Sequence, residues 1–334
     1  MEKESLKHIS SSGQTFKGYA LVRDVQSRVT VNGAPFLNIS LSEKETTIDC
    51  KLWDRHFNGY SAEELKNIFF VIGDLVYVEG SVGEYRSNLQ LTVTNFSTTD
   101  KSGLNIDDFV QSAPEVLTKM CEELEGFIKE INSSILNKIT NELYLEHKEL
   151  FITHPAAKSN HHDFRSGLLY HTLSMLRLSE GICDQYKEIN KDIVYSAIIL
   201  HDIGKVVELT GYLSPNYTKV GNLLGHITIA NMFIDRKMES LKKNLENWSK
   251  KDFEQIYELM HVVSAHHGKL EYGSPVVPKT LEAEVVHQID MLDSRINMIT
   301  SGLRNADKEK DELIKVYPIG YYYNTINMDE NNEL

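Results

Sequence analysis

Residues 197–206 read AIILHDIGKV, an apolar run that stops at an adjacent histidine and aspartate, His201 and Asp202, with Lys205 one turn further on. Carrying two ionisable side chains on the end of an oily segment is costly unless something compensates them. Working outward, the same texture recurs: His171 in SGLLYHTLSM, His226 in NLLGHITIA, His266 and His267 in VVSAHHGKLEYGSP, and Asp290 in VVHQIDMLDS. Each of these segments has helical spacing of apolar residues interrupted by a metal-ligand residue type. A helix bundle directs such side chains to a shared interior point, as di-metal carboxylate bundles do. A divalent cation would take the lone pair of a neutral His201 and balance Asp202, which answers the cost of burying them.

The donor set narrows the ion. Imidazole with carboxylate suits Mn, Fe, Co, Ni or Zn. Three cysteines, Cys50, Cys121 and Cys183, stand far apart without paired spacing. That argues against disulfides or a thiolate zinc site and fits reduced thiols in a cytoplasm. Composition is that of a globular chain, 41% hydrophobic and 25% charged over 334 residues, long enough for two domains. No stretch approaches the ~20 apolar residues of a membrane helix, and the first residues have no apolar secretory segment. The formal charge of −13 weighs against binding nucleic acid by bulk phosphate neutralisation, so such binding requires a local site.

The ordered series H…HD…D resembles the signature of the HD superfamily of metal-dependent phosphohydrolases, across roughly residues 150–300. The extra histidines match the version that holds two metals. That resemblance implies one ion on His171, His201, Asp202 and Asp290, with Asp202 bridging to a second on His226, His266 and His267. Two cations ~3.5–4 Å apart suit phosphoryl transfer by a metal-activated water. In this scheme Asp202 is catalytic as the bridging ligand. Lys205 is catalytic and substrate-binding through the non-bridging phosphate oxygens, and Arg165, His161 and His162 are further phosphate contacts. His261 and His287 fall outside the pattern and are read as surface or supporting residues.

Residues 14–97 have a different period. GYALVRDVQSRVTV, PFLNISLSE, TTIDCKLWD, GDLVYVEGSVGEY and LQLTVTNF are β-branched or aromatic runs split by turn material. SAEELKNIFF, between the third and fourth, predicts a short helix with Ser61 and Glu64 as a capping box. Five strands with a helix in that place is the order of an OB-fold barrel. The fold class is therefore multi-domain: a small all-β OB-fold barrel followed by an all-α HD-type helical domain. The predicted division is a nucleic-acid-binding barrel over 1–100, helical material over 101–150, the HD domain over 151–305 and a tyrosine-rich tail over 306–334. Helix is predicted from about Asp107 to His147.

Single-strand binding on such a barrel needs aromatic platforms and cations. Candidates are Tyr19, Arg23, Arg28, Phe36, Lys51, Trp53, Tyr85 and Arg86. Against them, residues 1–100 hold ten Lys and Arg and thirteen Asp and Glu, a net of −3. Self-association into a homo-oligomer is another use open to the barrel and to the tail.

The combination of barrel and HD domain, with AAKSNHHDFRSGLLYHTLSM, HDIGKVVELTG and YTKVGNLLGHITIA, resembles the YhaM or CMP-binding-factor family of 3′→5′ exoribonucleases. The resemblance implies a manganese-dependent enzyme acting on single-stranded RNA, and in some members DNA binding. HD phosphodiesterases for cyclic di-GMP differ from it. They carry a Gly-Tyr-Pro triplet after the paired histidines, where this chain has HHGKLEYGSPVVP, and a glutamate where it has Gly167. Three classes stay open from the residues alone: an exonuclease, a small-nucleotide phosphohydrolase, and a nucleic-acid-binding regulator with a structural metal. The full ligand set and the barrel favour the first.

Overall fold

Alternation decides the first unit. Ile48, Cys50 and Leu52 are buried while Asp49 is exposed, as a strand with one face inward requires. The computed structural model describes residues 4–86, 88–98, 104–158, 164–244, 248–306 and 312–324. It divides into two units, one of Met1–Pro114 with Gly211–Asn216, the other of Glu115–Thr210 with Tyr217–Leu334.

In the first unit, β1 (Thr15–Val29), β2 (Pro35–Glu43), β3 (Thr46–Trp53), β4 (Leu75–Tyr85) and β5 (Asn88–Thr98) close a barrel in the order β1-β2-β3-β5-β4. The β3–β5 pair is parallel and the other pairs are antiparallel. Helix α1 (Ala62–Ile68) lies between β3 and β4, and Ser61 and Glu64 form the predicted capping box. This is the OB-fold topology. Its interior is filled by the inward set of each strand, including Phe16, Leu37, Ile39, Leu52, Val78 and Val93.

The second unit is helical: α2 (Leu117–Lys129), α3 (Ser134–Phe151), α4 (Gly167–Gln185), α5 (Lys191–Leu200), α6 (Lys205–Glu208), α7 (Lys219–Asn244), α8 (Lys250–Ala265) and α9 (Leu281–Asn305). Helix α5 is apolar all round and buried from Ile193 to Leu200, with α3, α4, α8 and α9 packed against it. An all-apolar helix is stable only inside such a bundle. The opening motif therefore sits at the end of the bundle's central helix.

One local expectation is corrected. The helix predicted over 107–147 starts only at Leu117, after Pro114, and breaks at Glu130–Ser133. There the Asp192 carboxylate accepts the N–H groups of Asn132 and Ser133 at 2.9 and 2.8 Å. A distant side chain thus satisfies donors at the start of α3, which runs past His147 to Phe151. In the tail, β6 (Leu313–Val316) and β7 (Gly320–Tyr323) form an antiparallel hairpin. Among the described residues no helix is long and apolar enough to cross a membrane.

Candidate metal centre

Five segments of the helical unit bring seven side chains together. His171 projects from α4, His201 caps α5, and Asp202 follows in the turn before α6. His226 lies in α7 directly after Gly225, whose φ of 70° interrupts the helix. That left-handed φ suits glycine, and the Glu208 carboxylate accepts the freed His226 N–H at 3.0 Å. His266 ends α8, His267 follows it, and Asp290 projects from α9. Gly204 of the HDIGK stretch lets these strands of chain meet, because a Cβ there would stand 2.1 Å from the His226 carbonyl oxygen.

The ligand atoms form two triads, His171–His201–Asp202 and His226–His266–His267, each with its atoms within 4.8 Å of one another. Asp202 has one oxygen toward each. Its Oδ2 lies 3.2 Å from His201 Nε2 and 3.8 Å from His171 Nε2. Its Oδ1 lies 3.4 Å from His226 Nε2 and 3.9 Å from His266 Nε2. Asp290 Oδ1 is 3.4 Å from His171 Nε2.

A shared pattern fixes the rings. His171 Nδ1 meets Asp293 at 2.7 Å, His201 Nδ1 the Ile198 carbonyl at 2.7 Å, and His226 Nδ1 Glu208 at 3.1 Å. His266 Nδ1 meets the Val263 carbonyl at 2.7 Å and His267 Nδ1 the Tyr272 carbonyl at 2.9 Å. All five rings are held through Nδ1, which leaves Nε2 for the centre, the arrangement metal-binding histidines adopt. The Nε2 atoms of His201, His226 and His266, with Asp202 Oδ1, are buried without a hydrogen-bond partner. Each such orphan costs ~1–3 kcal/mol, and all four face one region. A divalent cation removes that cost, so the residues present fit the metal.

The proton affinities agree. Burial, reinforced by neighbouring imidazoles, pushes His266 and His267 below the ordinary histidine value, so both rest neutral. Burial would raise Asp202, but Lys205 and His201 hold it well below the usual carboxylate range. Against the burial of its ring, Asp290 and Asp293 push His171 up to about 10.

A cavity of about 440 Å³ opens on the centre, walled by Asp202, Lys205, Glu208, His226, His267 and Asp290 together with Lys158 and Tyr217. Lys205 lines it with its Nζ 2.5 Å from Asp202 Oδ2. Arg165 is half-buried just before α4 and is not among the cavity-lining residues. His161 and His162 lie outside the described residues.

Three residues were not singled out as part of the site. Asp293 recurs three positions after Asp290, on the same helix face. Glu208 stands one turn after Lys205, and Lys158 lies in the cavity wall with its Nζ 6.0 Å from the Tyr217 ring centre. Carboxylates one helical turn from Asp290 and from Lys205 were the available signal. His287 is buried, its Nδ1 2.8 Å from the His266 carbonyl, and His261 accepts the Lys279 N–H at 3.0 Å.

On the barrel, Phe36 and Trp53 are register partners with ring centres 5.1 Å apart, and Lys51 Nζ lies 5.1 Å over Phe36. Arg28 is the register partner of Phe36 on β1. These four form one outward patch across β1, β2 and β3. Tyr85 is exposed with Arg86 5.3 Å over its ring. Tyr19 packs edge-on to Tyr77. Arg23 donates to the Leu213 and Tyr212 carbonyls at 2.7 and 3.3 Å, so its guanidinium is engaged within its own unit.

A bundle that gathers H…HD…H…HH…D around orphaned ligand atoms defines an HD-domain protein with a divalent-cation centre, and the HD domain family model matches residues 168–295. Across 88% of this chain and 88% of the relative, it is 38% identical to the 3'-5' exoribonuclease YhaM of Shouchella clausii (strain KSM-K16). It is 37% identical to the protein of that name from Bacillus subtilis (strain 168), over 88% of this chain and 89% of the other. The chain belongs to the YhaM family. Among solved structures, the second OB-fold domain of replication protein A from Methanococcus maripaludis matches 28% of this chain and 91% of its own length, at 20% identity and a TM-score of 0.21.

Proposed function

We propose that this chain is a metal-dependent 3′→5′ exoribonuclease acting on single-stranded RNA, with single-stranded DNA as a further ligand. Each turn of the reaction consumes one water. The bond between phosphorus and the O3′ of the penultimate nucleotide breaks, the water oxygen stays on phosphorus, and a proton goes to the leaving O3′. The products are a 5′-mononucleotide and a strand shorter by one. The observation that carries the reading is the set of four orphaned, buried ligand atoms facing one region, in a chain of this family.

His171, His201, Asp202 and Asp290 would hold one ion. His226, His266 and His267 would hold a second, with Asp202 shared. Manganese is the ion we assign, since nitrogen and oxygen donors without thiolate accept it. A divalent ion there supplies Lewis acidity and a lowered water pKa. The chain's own groups do the rest. Asp293 and Glu208 orient the imidazoles of His171 and His226, so the ligand atoms need no rearrangement as substrate arrives. Lys205 keeps a positive charge in the cavity wall for the phosphate oxygens, and Lys158 adds another. We assign Arg165, His161 and His162 to substrate contact upstream of α4.

The barrel, spanning roughly the first hundred residues, is assigned to grip the strand. Phe36 and Trp53 offer stacking faces, and Lys51 and Arg28 offer cations. Three free cysteines suit a reducing cytoplasm. The test is product analysis with manganese on a single-stranded RNA and on a blunt duplex of the same sequence. Release of 5′-mononucleotides from the single strand, with the duplex spared, supports the reading. Internal fragments or nucleoside 3′-phosphates would overturn it.

A further inference from the structure

A second cleft, about 580 Å³, adjoins the metal centre and shares His267, Asp290 and Ser294 with the first. Its other walls differ in chemistry: Tyr272, Met291, Met298, Pro318 and Ile319 are largely apolar, Arg295 is the cation among them, and His287 is there with its Nδ1 on the His266 carbonyl. Arg295 is exposed and makes no ion pair among the described residues. Three structural elements build the cleft. Helix α9 contributes Asp290, Met291, Ser294, Arg295 and Met298, whose three- and four-residue spacing makes one face. The turn after α8 contributes Tyr272, whose carbonyl holds His267 Nδ1. The β6–β7 hairpin contributes Pro318 and Ile319 from its turn.

The hairpin is docked, not loosely attached. Ile314 and Val316 are buried and sit on Gly302 of α9, where a Cβ would stand 2.9 Å from Val316 Cγ2 and 3.2 Å from Ile314 Cδ1. Glycine at 302 thus lets the hairpin close down on the same helix that carries Asp290. The tyrosine-rich tail, unexplained by the metal centre, supplies one wall of a cleft that leads to it.

We propose that this cleft receives the 3′-terminal nucleoside of the strand, with the C-terminal hairpin as its outer wall. The inference rests on the exoribonuclease reading for what fills the cleft. The volume falls within the ~300–1,000 Å³ of small-ligand sites. Continuity with Asp290 and His267 puts a nucleoside held there one phosphate away from the ligands. The walls offer apolar faces and adaptable thioethers, not a fixed hydrogen-bond code, so they accept purines and pyrimidines alike. Arg295 is the group for the 5′-phosphate oxygens of the same nucleotide. The substrate class is therefore any strand with an unmodified terminal base, removed without strong sequence preference.

The test compares ligands with and without a base. Binding of adenosine 5′-monophosphate and of ribose 5-phosphate is measured by calorimetry in the manganese-loaded protein. Hydrolysis of thymidine 5′-(4-nitrophenyl) phosphate is compared with that of bis(4-nitrophenyl) phosphate. The wild type should bind the mononucleotide about tenfold more tightly than the sugar phosphate, the weight of one base contact. Gly302→Val, which lies outside the cleft and pushes the hairpin off α9, should erase that difference. It should also raise KM for the thymidine diester about tenfold, with the nucleoside-free diester hardly changed. If circular dichroism shows Gly302→Val to be unfolded, Met298→Ala decides on the same binding difference. Mononucleotide binding and KM unchanged in a folded variant overturn the assignment, even if RNA is degraded from its 3′ end. Base-dependent binding lost in the variants, in a protein that leaves RNA intact, would keep the cleft and remove the exoribonuclease reading.

Discussion

The metal centre and the outer patch of the barrel solve opposite problems. At the centre, seven candidate ligands come from five segments spread over 120 positions, and their geometry is over-determined. Every histidine is fixed through Nδ1, and four ligand atoms are buried with nothing to bond. On the barrel, Phe36, Trp53, Lys51 and Arg28 are neighbours by strand register alone, on a face open to solvent. A buried polar cluster persists only if it has a task that repays its desolvation. A surface patch costs the fold nothing and so carries less information about its use. The difference predicts steep, all-or-none losses at the centre and graded ones at the barrel.

The sharpest break would come at Asp202, which has an oxygen toward each triad. Asp202→Ala should lower hydrolysis at least ~10³-fold with any divalent ion, since electrostatic groups at such centres carry several kcal/mol, while circular dichroism remains helical. Retention of a tenth of the wild-type rate would remove Asp202 from the bridging position. One shell out, Asp293→Asn should weaken manganese binding by about 10–100-fold, the usual weight of an outer partner. Excess metal should restore most of the rate. A rate loss that no metal concentration rescues would mean that Asp293 acts on substrate instead.

At the barrel, Trp53→Ala should weaken binding of a long single strand by about tenfold, one stacked base. Cleavage of a dinucleotide should scarcely change. Equal losses on both substrates would assign the barrel to folding or assembly. The smallest effect concerns His154, outside the metal centre, buried between the carbonyls of Leu150 and Leu209. Burial lowers its proton affinity below the ordinary value, against the pull of those carbonyls. The unfolded chain, at ~6.5, therefore takes up the proton first as pH falls. The stability His154 contributes is present above that value and is lost below it. The Tm margin of wild type over His154→Gln should shrink between pH 7.5 and 5.5. A margin that widens would mean that the folded chain takes up the proton first.

What was legible in the sequence follows the same division. The candidate ligands stood out because each interrupts or ends an apolar helical run, and an ionisable group in that setting needs a partner. The barrel could be read because Ile48, Cys50 and Leu52 alternate with polar neighbours, and because Ser61 and Glu64 announce the helix between β3 and β4. The break at Glu130–Ser133 could not, since it depends on Asp192 some sixty positions away. Asp293 was visible only as a carboxylate one turn from Asp290, and Glu208 as one a turn from Lys205, a spacing that surface helices also produce. The hairpin escaped because its burial rests on two residues, Ile314 and Val316, against a glycine of α9. Local pattern reveals what a segment needs, and tertiary contact decides who supplies it.

The most direct measurement is a time course on a 5′-labelled single-stranded RNA with manganese, run beside an EDTA control and the Asp202→Ala protein. The expected result is a ladder that shortens from the 3′ end with wild type and manganese, and full-length RNA in both controls. A ladder that persists with EDTA or without Asp202, or RNA left intact by the wild type under every divalent ion, would contradict it.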